Sequence, residues 1–168
     1  MNKKFNARTI YNWKLDRHYR VFASRESLFF IKFGGQVGAN EETLNHFGLL
    51  GELIYYFMKE RMKRSQDEKI GSIDQKSPEQ SLGDHKHNFR LDSSQVLSAE
   101  VNLPPLMPLH GNCSARVKLF LHEGEELHLQ LDSNESVFEA LDVLPGILGE
   151  RLKVNIRWDT SRKTFTNC

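Results

Sequence analysis

The chain has 168 residues, 39% of them apolar and 27% charged, with a formal net charge of +1. That is enough apolar surface for one sizeable core without a disulfide or metal staple, and it lacks the basic excess of a dedicated nucleic-acid binder. The two cysteines, Cys113 and Cys168, have no metal-type spacing, so a reducing, cytoplasmic setting is expected; the opening "MNKKFNARTIYNWKLD" has no apolar h-region of a secretory signal, and no uncharged apolar run reaches the roughly 18 residues of a membrane span.

Charge is uneven along the chain. Residues 1–40 hold eight Lys/Arg and two acids, whereas residues 111–168 hold seven and nine. Two interpretations stand: a basic patch for an anionic partner, or a scatter of solvated surface charges.

The first predicted element is "YRVFASRESLFFIKF" (19–33), two strands around a short polar turn. With Arg25 and Glu26 at the tip, Ala23 faces Leu28, Val21 faces Phe30 and Tyr19 faces Lys32, while Phe22, Phe29, Ile31 and Phe33 occupy the other face. Both faces are apolar, although an antiparallel hairpin normally keeps one face wet. A second cover besides the domain core is therefore required.

The glycine cluster "GGQVGANEE" (34–42) follows the strand. It lacks the Lys and the Ser/Thr of a P-loop, and its glycines at 34, 35 and 38 do not fit a dinucleotide fingerprint. Glu41 and Glu42 would sit at the positive helix end that a phosphate needs. The glycines are expected to serve a sharp turn.

A helix is predicted over residues 40–65. Leu44, Phe47, Leu50, Ile54 and Phe57 recur at helical spacing, Leu53, Tyr56 and Met58 widen the stripe, and Lys59, Arg61, Lys63 and Arg64 lie in the last turns. Three uses are open: covering the first hairpin, pairing with the same helix of a second chain through Leu50, Ile54 and Phe57, or lying on a membrane surface, against which Glu41, Glu42, Glu52 and Glu60 weigh. The polar stretch 66–87 is expected to be a mobile linker.

Beyond it, "FRLDSSQVLSAEV" (89–101) is predicted as a strand with a polar kink at Asp92–Gln95, and "NLPPLMPLHGN" (102–112) as a proline-rich surface loop. The alternation in "ARVKLFLHEGEELHLQLD" (115–132) predicts a hairpin with Val117, Leu119, Leu121, Leu127, Leu129 and Leu131 on its dry face and His128 and Gln130 on its wet one. A helix over 133–152 follows, with Val137, Leu141, Leu144 and Leu148 inward, a capping box from Ser136 and Glu139, and a kink or break near residues 144–146 because of Pro145. A short strand around Val154–Trp158 is expected before the tail frays.

Chemistry-bearing motifs are sparse. His85 and His87, with Asp84 or His110, match no strong zinc spacing, so no metal or cofactor is expected. There is no G-x-S-x-G elbow; a Cys113–His110 couple is the remaining route to an enzyme. His46 is expected to pack, and His122 to lie on the surface.

The order of elements, and above all "LHEGEELHLQLDSNESVFEALDVLPGIL", resembles a bacterial pleckstrin-homology-like (PH-like) domain over residues 10–35 and 88–155. The resemblance implies a strongly bent antiparallel sheet, or partly open barrel, closed by the C-terminal helix, with the 40–65 helix inserted after the first hairpin. It also implies binding rather than catalysis. Arg20, Arg25 and Lys32 occupy the region where members that bind inositol phosphates cluster their bases. The expectation is thus one α+β domain over 1–168, its C-terminal half spanning 88–155, with five to seven strands and no enzymatic activity. Its partner would be a protein or a second copy, with anionic lipid at the N-terminal hairpin, or an enzyme near Cys113 and His110, as alternatives.

Overall fold

The structure, a computed structural model, describes residues 3–9, 16–35, 48–104 and 114–168, with backbone alone for 48–59 and 62. The predicted helix start at Asn40, with Glu41, Glu42, Leu44, His46 and Phe47, lies outside the described residues, as do Gly38, His110, Cys113 and the side chains of Leu50, Ile54 and Phe57.

The described residues form an α+β fold. In chain order the strands are β1 (Lys4–Thr9), β2 (Arg17–Ser24), β3 (Ser27–Gly35), β4 (Phe89–Asp92), β5 (Val96–Asn102), β6 (Ala115–Leu121), β7 (Glu126–Leu131), β8 (Leu152–Val154), β9 (Ile156–Asp159) and β10 (Thr164–Asn167). The helices are α1 (Gly48–Asp74), α2 (Pro78–Leu82) and α3 (Asn134–Leu148). Eight strands share one sheet in the order β4-β3-β2-β1-β7-β6-β5-β8, and β9 pairs with β10 apart from it. All neighbours in the sheet are antiparallel except β5 and β8.

The sheet has to curl. In a flat sheet β4 and β5 would lie six strand spacings apart, about 29 Å, yet only Ser93–Gln95 joins them, a reach of about 14 Å. Hydrogen bonds pin this junction between two hairpin tips: Ser93 N–H donates to Glu26 O (2.7 Å) and His122 N–H to Gln95 O (3.0 Å). Arg151 closes it from below, donating to Val96 O at 2.8 Å and to Ser93 O. The sheet does not close into a barrel, since β4 pairs with β3 and β8 with β5 and not with each other.

The β2–β3 hairpin has the predicted register, with Val21 opposite Phe30, Ala23 opposite Leu28 and Tyr19 opposite Lys32. Its inner face joins the core, where α3 packs Val137, Ala140, Val143, Leu144 and Leu148 against Phe5, Val21, Leu119 and Leu129. Pro145 sits inside α3 without ending it, although a kink or break was expected there. The N-cap is Ser133, whose hydroxyl accepts from Ser136 N–H at 3.1 Å, in place of the Ser136–Glu139 box.

The second cover comes from an unexpected place. Phe22, Phe29 and Ile31 pack under Ile73 and Leu82, so residues 66–87, predicted as a linker, instead supply the end of α1 and all of α2. Their composition is polar because few apolar residues suffice: within the end of α1, Gln66, Ile70, Ile73 and Asp74 are the partly buried positions, spaced i, i+4, i+7, i+8 along one face. Ser77 caps α2 through a reciprocal box with Gln80, with Pro78 in its first turn.

Three other expectations change. The strand 89–101 is two strands at distant places in the sheet, because the polar kink is a 3-10 turn that reroutes the chain. Gly34 and Gly35 are the last residues of β3 and are not among the positive-φ glycines. A Cβ at Gly34 would stand 3.4 Å from His18 Cβ and 3.5 Å from Gln66 Nε2, so this glycine serves the close approach of α1, not a turn. The tail forms the β9–β10 hairpin, held by a Phe138–Trp158–Phe165 cluster with ring centroids 4.9–5.0 Å apart.

An ion-pair cluster fixes α1 on the sheet. Asp74 accepts from Arg20 Nε and Nη2, each at 3.2 Å, and pairs with Lys4 Nζ at 2.6 Å. Burial pushes the Asp74 carboxyl up, but the hydrogen bonds and charges of Arg20 and Lys4 outweigh it and hold it below the usual carboxylate range. A carboxyl depressed in the folded state contributes stability above its unfolded value, about 3.9, that is lost as pH falls through its folded value. Asp74→Asn is expected to cost about 1 kcal/mol at neutral pH, and urea titrations should show this difference from wild type vanishing in strong acid. An undiminished difference there would contradict the assignment.

Candidate functional site

The meander sends its connections to opposite ends of the sheet. One end carries the tips of β2–β3 and β6–β7 and the β4–β5 junction, with Glu26, Asp92, Glu123, Glu125 and Glu126 interleaved with Arg25, Arg90 and Lys118, the last two paired to Asp92 and Glu126. At the other end β1 finishes, β2 begins, β3 finishes and the 85–88 segment lies alongside, where Asn88 Oδ1 accepts from Lys32 N–H at 2.8 Å.

This second end is basic. Lys86 and His85 are exposed there, and Arg17, Lys32 and His87 partly so. Partial desolvation and the charges of Lys32, Lys86 and Arg17 hold the His85 imidazole below its ordinary value; desolvation and Arg17, Lys32, His85 and Lys86 do the same to His87. The His85 and His87 rings stand 5.1 Å apart, and His85 Nδ1 accepts from the His87 N–H at 3.0 Å. Among the described residues no group of three or more His, Cys, Asp or Glu is arranged to hold a metal.

α1 rises from the same end. Gln66 meets β3 at Gly34 and Ile73 meets it near Phe29 and Ile31, so the helix runs antiparallel to β3, and its first eighteen residues, 48–65, extend about 27 Å further at 1.5 Å per residue. Glu60, Arg61, Lys63, Arg64 and Ser65 are all exposed. At 100° per residue these positions occupy a little over half of the helix circumference, so on that side the helix faces water. No helix among the described residues is long and apolar enough to cross a membrane.

Beside the basic rim lies a polar cluster, buried except at Asp132. Arg8 donates to Asp16 Oδ2 at 3.3 Å, to Asp132 Oδ1 at 2.9 Å and to Gln130 Oε1. Asp16 is 4% exposed and Gln130 fully buried, so the face of the 115–132 hairpin expected to be wet is dry at Gln130. Burial pulls the His18 imidazole down, opposed by Asp132 and Asp16, and pushes the Asp132 carboxyl up, opposed by Arg8. The cluster staples β1 to β7 and to the start of β2.

The three bases singled out in the sequence do not converge. Arg20 is committed inside the fold to Asp74 and to Asn6 Oδ1 (2.9 Å). Arg25 stands at the hairpin tip with φ of 52°, beside a cavity of about 620 Å³ lined by Glu26, Phe29, Glu79 and Arg90 among others. Only Lys32 belongs to the basic end. His85, Lys86 and His87 were missed as its companions because more than fifty positions separate them from Lys32, and Arg17 because its place at the start of β2 was not read; only the meander joins them.

Arg8 can be tested directly. Arg8→Met leaves Asp16 buried without its cation, and should lower the urea-unfolding free energy by about 3 kcal/mol. Adding Asp16→Asn should recover at least half of that; a double variant no better than Arg8→Met would remove Asp16 from the account. No protein-family model matches the chain, and comparison with curated proteins and with solved structures gives no match either.

Proposed function

We propose that this protein is a non-enzymatic binding domain, PH-like in plan, whose curled sheet is the scaffold and whose contacting element is the N-terminal half of α1. The observation that carries this is the departure of α1 from the sheet: its last two turns are anchored by Ile73 and Asp74, while Glu60, Arg61, Lys63, Arg64 and Ser65 are exposed. Residues 48–58, "GLLGELIYYFM", then bring eight large apolar side chains onto a helix already carried past the end of β3. A helix apolar on every side is stable when something covers it.

The charged groups within the body support the same conclusion. Arg8, Arg20, Asp16 and Asp74 are paired across elements, which suits a scaffold. The interface residues named from sequence, Leu50, Ile54 and Phe57, fall on the arm.

Ile54→Asp combined with Phe57→Asp tests this. Sedimentation velocity and vesicle flotation on wild type should reveal association, of the chain with itself or with lipid, that the double variant loses. Its unfolding free energy should stay within about 0.5 kcal/mol of wild type, because the substituted positions lie beyond the sheet. A variant that still associates, or a wild type that does neither, overturns the proposal.

A further inference from the structure

We infer that the cavity at the β2–β3 tip is a binding site for a small zwitterion, a molecule carrying one carboxylate and one ammonium group, as a free α-amino acid or a short peptide does. The site lies at the end of the sheet away from the basic rim, and the inference does not depend on what α1 contacts.

Three observations carry it. The first is room. Ser24–Ser27 at the hairpin tip, Phe29 of β3, Arg90 of β4 and Glu79 of α2 line a volume of about 620 Å³, within the range of about 300–1,000 Å³ usual for small-molecule sites.

The second is the way Arg90 is held. Its guanidinium lies over the Phe29 ring, 5.7 Å from the centroid. Its Nε donates to Asp92 Oδ1 at 2.6 Å and to Ser27 Oγ at 3.2 Å. Ser27 is 5% exposed and donates in turn to Asp92 Oδ1 at 2.6 Å. The hydrogen bonds from Ser27 and Arg90 hold the Asp92 carboxyl below the usual carboxylate range, so this anchor is ionised at neutral pH. The two Nη groups of Arg90 have no partner among the described residues. A guanidinium fixed along its Nε edge and over an aromatic face, with its terminal fork open, is ordered in advance for a carboxylate.

The third is charge that stays apart. Glu26 and Glu79 line the same cavity as Arg25, and none of these three side chains has a hydrogen-bond or ion-pair partner among the described residues. Arg25 is held at φ 52°, a conformation that glycine takes freely and that costs other residues about 1 kcal/mol. Because Asp92 matches the charge of Arg90, the groups left over are one cation and two carboxylates. A simple anion would meet net repulsion there, which an ammonium group on the same ligand removes.

The experiment is a ligand-observed NMR titration of the full chain with each of the twenty common α-amino acids and with trialanine, up to about 10 mM. At least one should bind, and its N-acetyl and amide derivatives, each lacking one charge, should bind about tenfold more weakly. Arg90→Lys keeps the charge but loses the fork, and Glu26→Gln with Glu79→Gln removes the carboxylates; each variant should weaken binding about tenfold with unchanged circular dichroism. Were Arg90→Lys to unfold, the Glu26 and Glu79 pair, at exposed positions, decides alone. Tighter binding of trialanine assigns a short peptide, and tighter binding of an amino acid assigns the free form. No binding by any probe overturns the inference. So does a ligand whose derivatives bind equally well, or one indifferent to the Arg90 and the paired Glu substitutions.

Discussion

A β-hairpin with Phe22, Phe29 and Ile31 on one face and Val21, Leu28 and Phe30 on the other cannot leave either face in water. Each such side chain is worth about 2 kcal/mol when covered, so the hairpin requires a layer on both sides. The inner layer is α3 and the curled sheet. The outer layer is the end of α1 with α2, and this second demand shapes the rest of the molecule. It turns a polar stretch into helix, places Asp74 above Arg20 and Lys4, and fixes the direction of α1. A helix that runs antiparallel to β3 and is anchored by its last turns has to carry its beginning off the end of the sheet.

The Arg20 contact shows how tightly the outer layer is specified. Arg20 is 8% exposed, and a guanidinium so placed is tolerable only with charged and polar partners at hand. Asp74, Asn6 and, at 4.0 Å, Glu139 provide them. Sliding α1 by one turn, about 5.4 Å, would remove Asp74 from Arg20 and Lys4 and Ile73 from Phe29 together. Apolar cover and charge compensation therefore select the same register, and neither alone would define it.

Short-range pattern made much of this visible. The β2–β3 tip at Arg25–Glu26 and its pairings followed from alternation, as did β6, β7 and the inward stripe of α3, because each of these depends on neighbours within about twenty residues. β1 was missed: "KFNART" alternates only through Phe5, Ala7 and Thr9, and Asn and Ala are weak strand formers. Yet β1 joins the two halves of the sheet, pairing β2 on one side and β7 on the other. The β4–β5 break was read as a kink because the residues of a kink and of a rerouting turn are the same; the difference lies in partners more than sixty positions away. For the candidate site the limit was sharper. Lys32 was visible as a base on a strand, but its proximity to Lys86 and the two histidines is a property of the meander.

The positive residues of this chain divide by surroundings. Arg8 and Arg20 lie within the body of the sheet, where the dielectric is low and an unpaired charge is expensive, and each is matched to carboxylates. At the end of the sheet and on the exposed turns of α1, Arg61, Lys63, Arg64 and Lys86 face water and Lys32 partly does; there a pair of like charges 4 Å apart costs only about 1 kcal/mol. Such a cluster slightly destabilises the folded chain, and a stable core can tolerate it. A surface that binds anions from solution gains by that arrangement, because the repulsion among the bases is relieved only when negative charge arrives. The same side-chain chemistry therefore stabilises the fold where burial demands a partner within it, and is held at little cost where water screens the bases from one another.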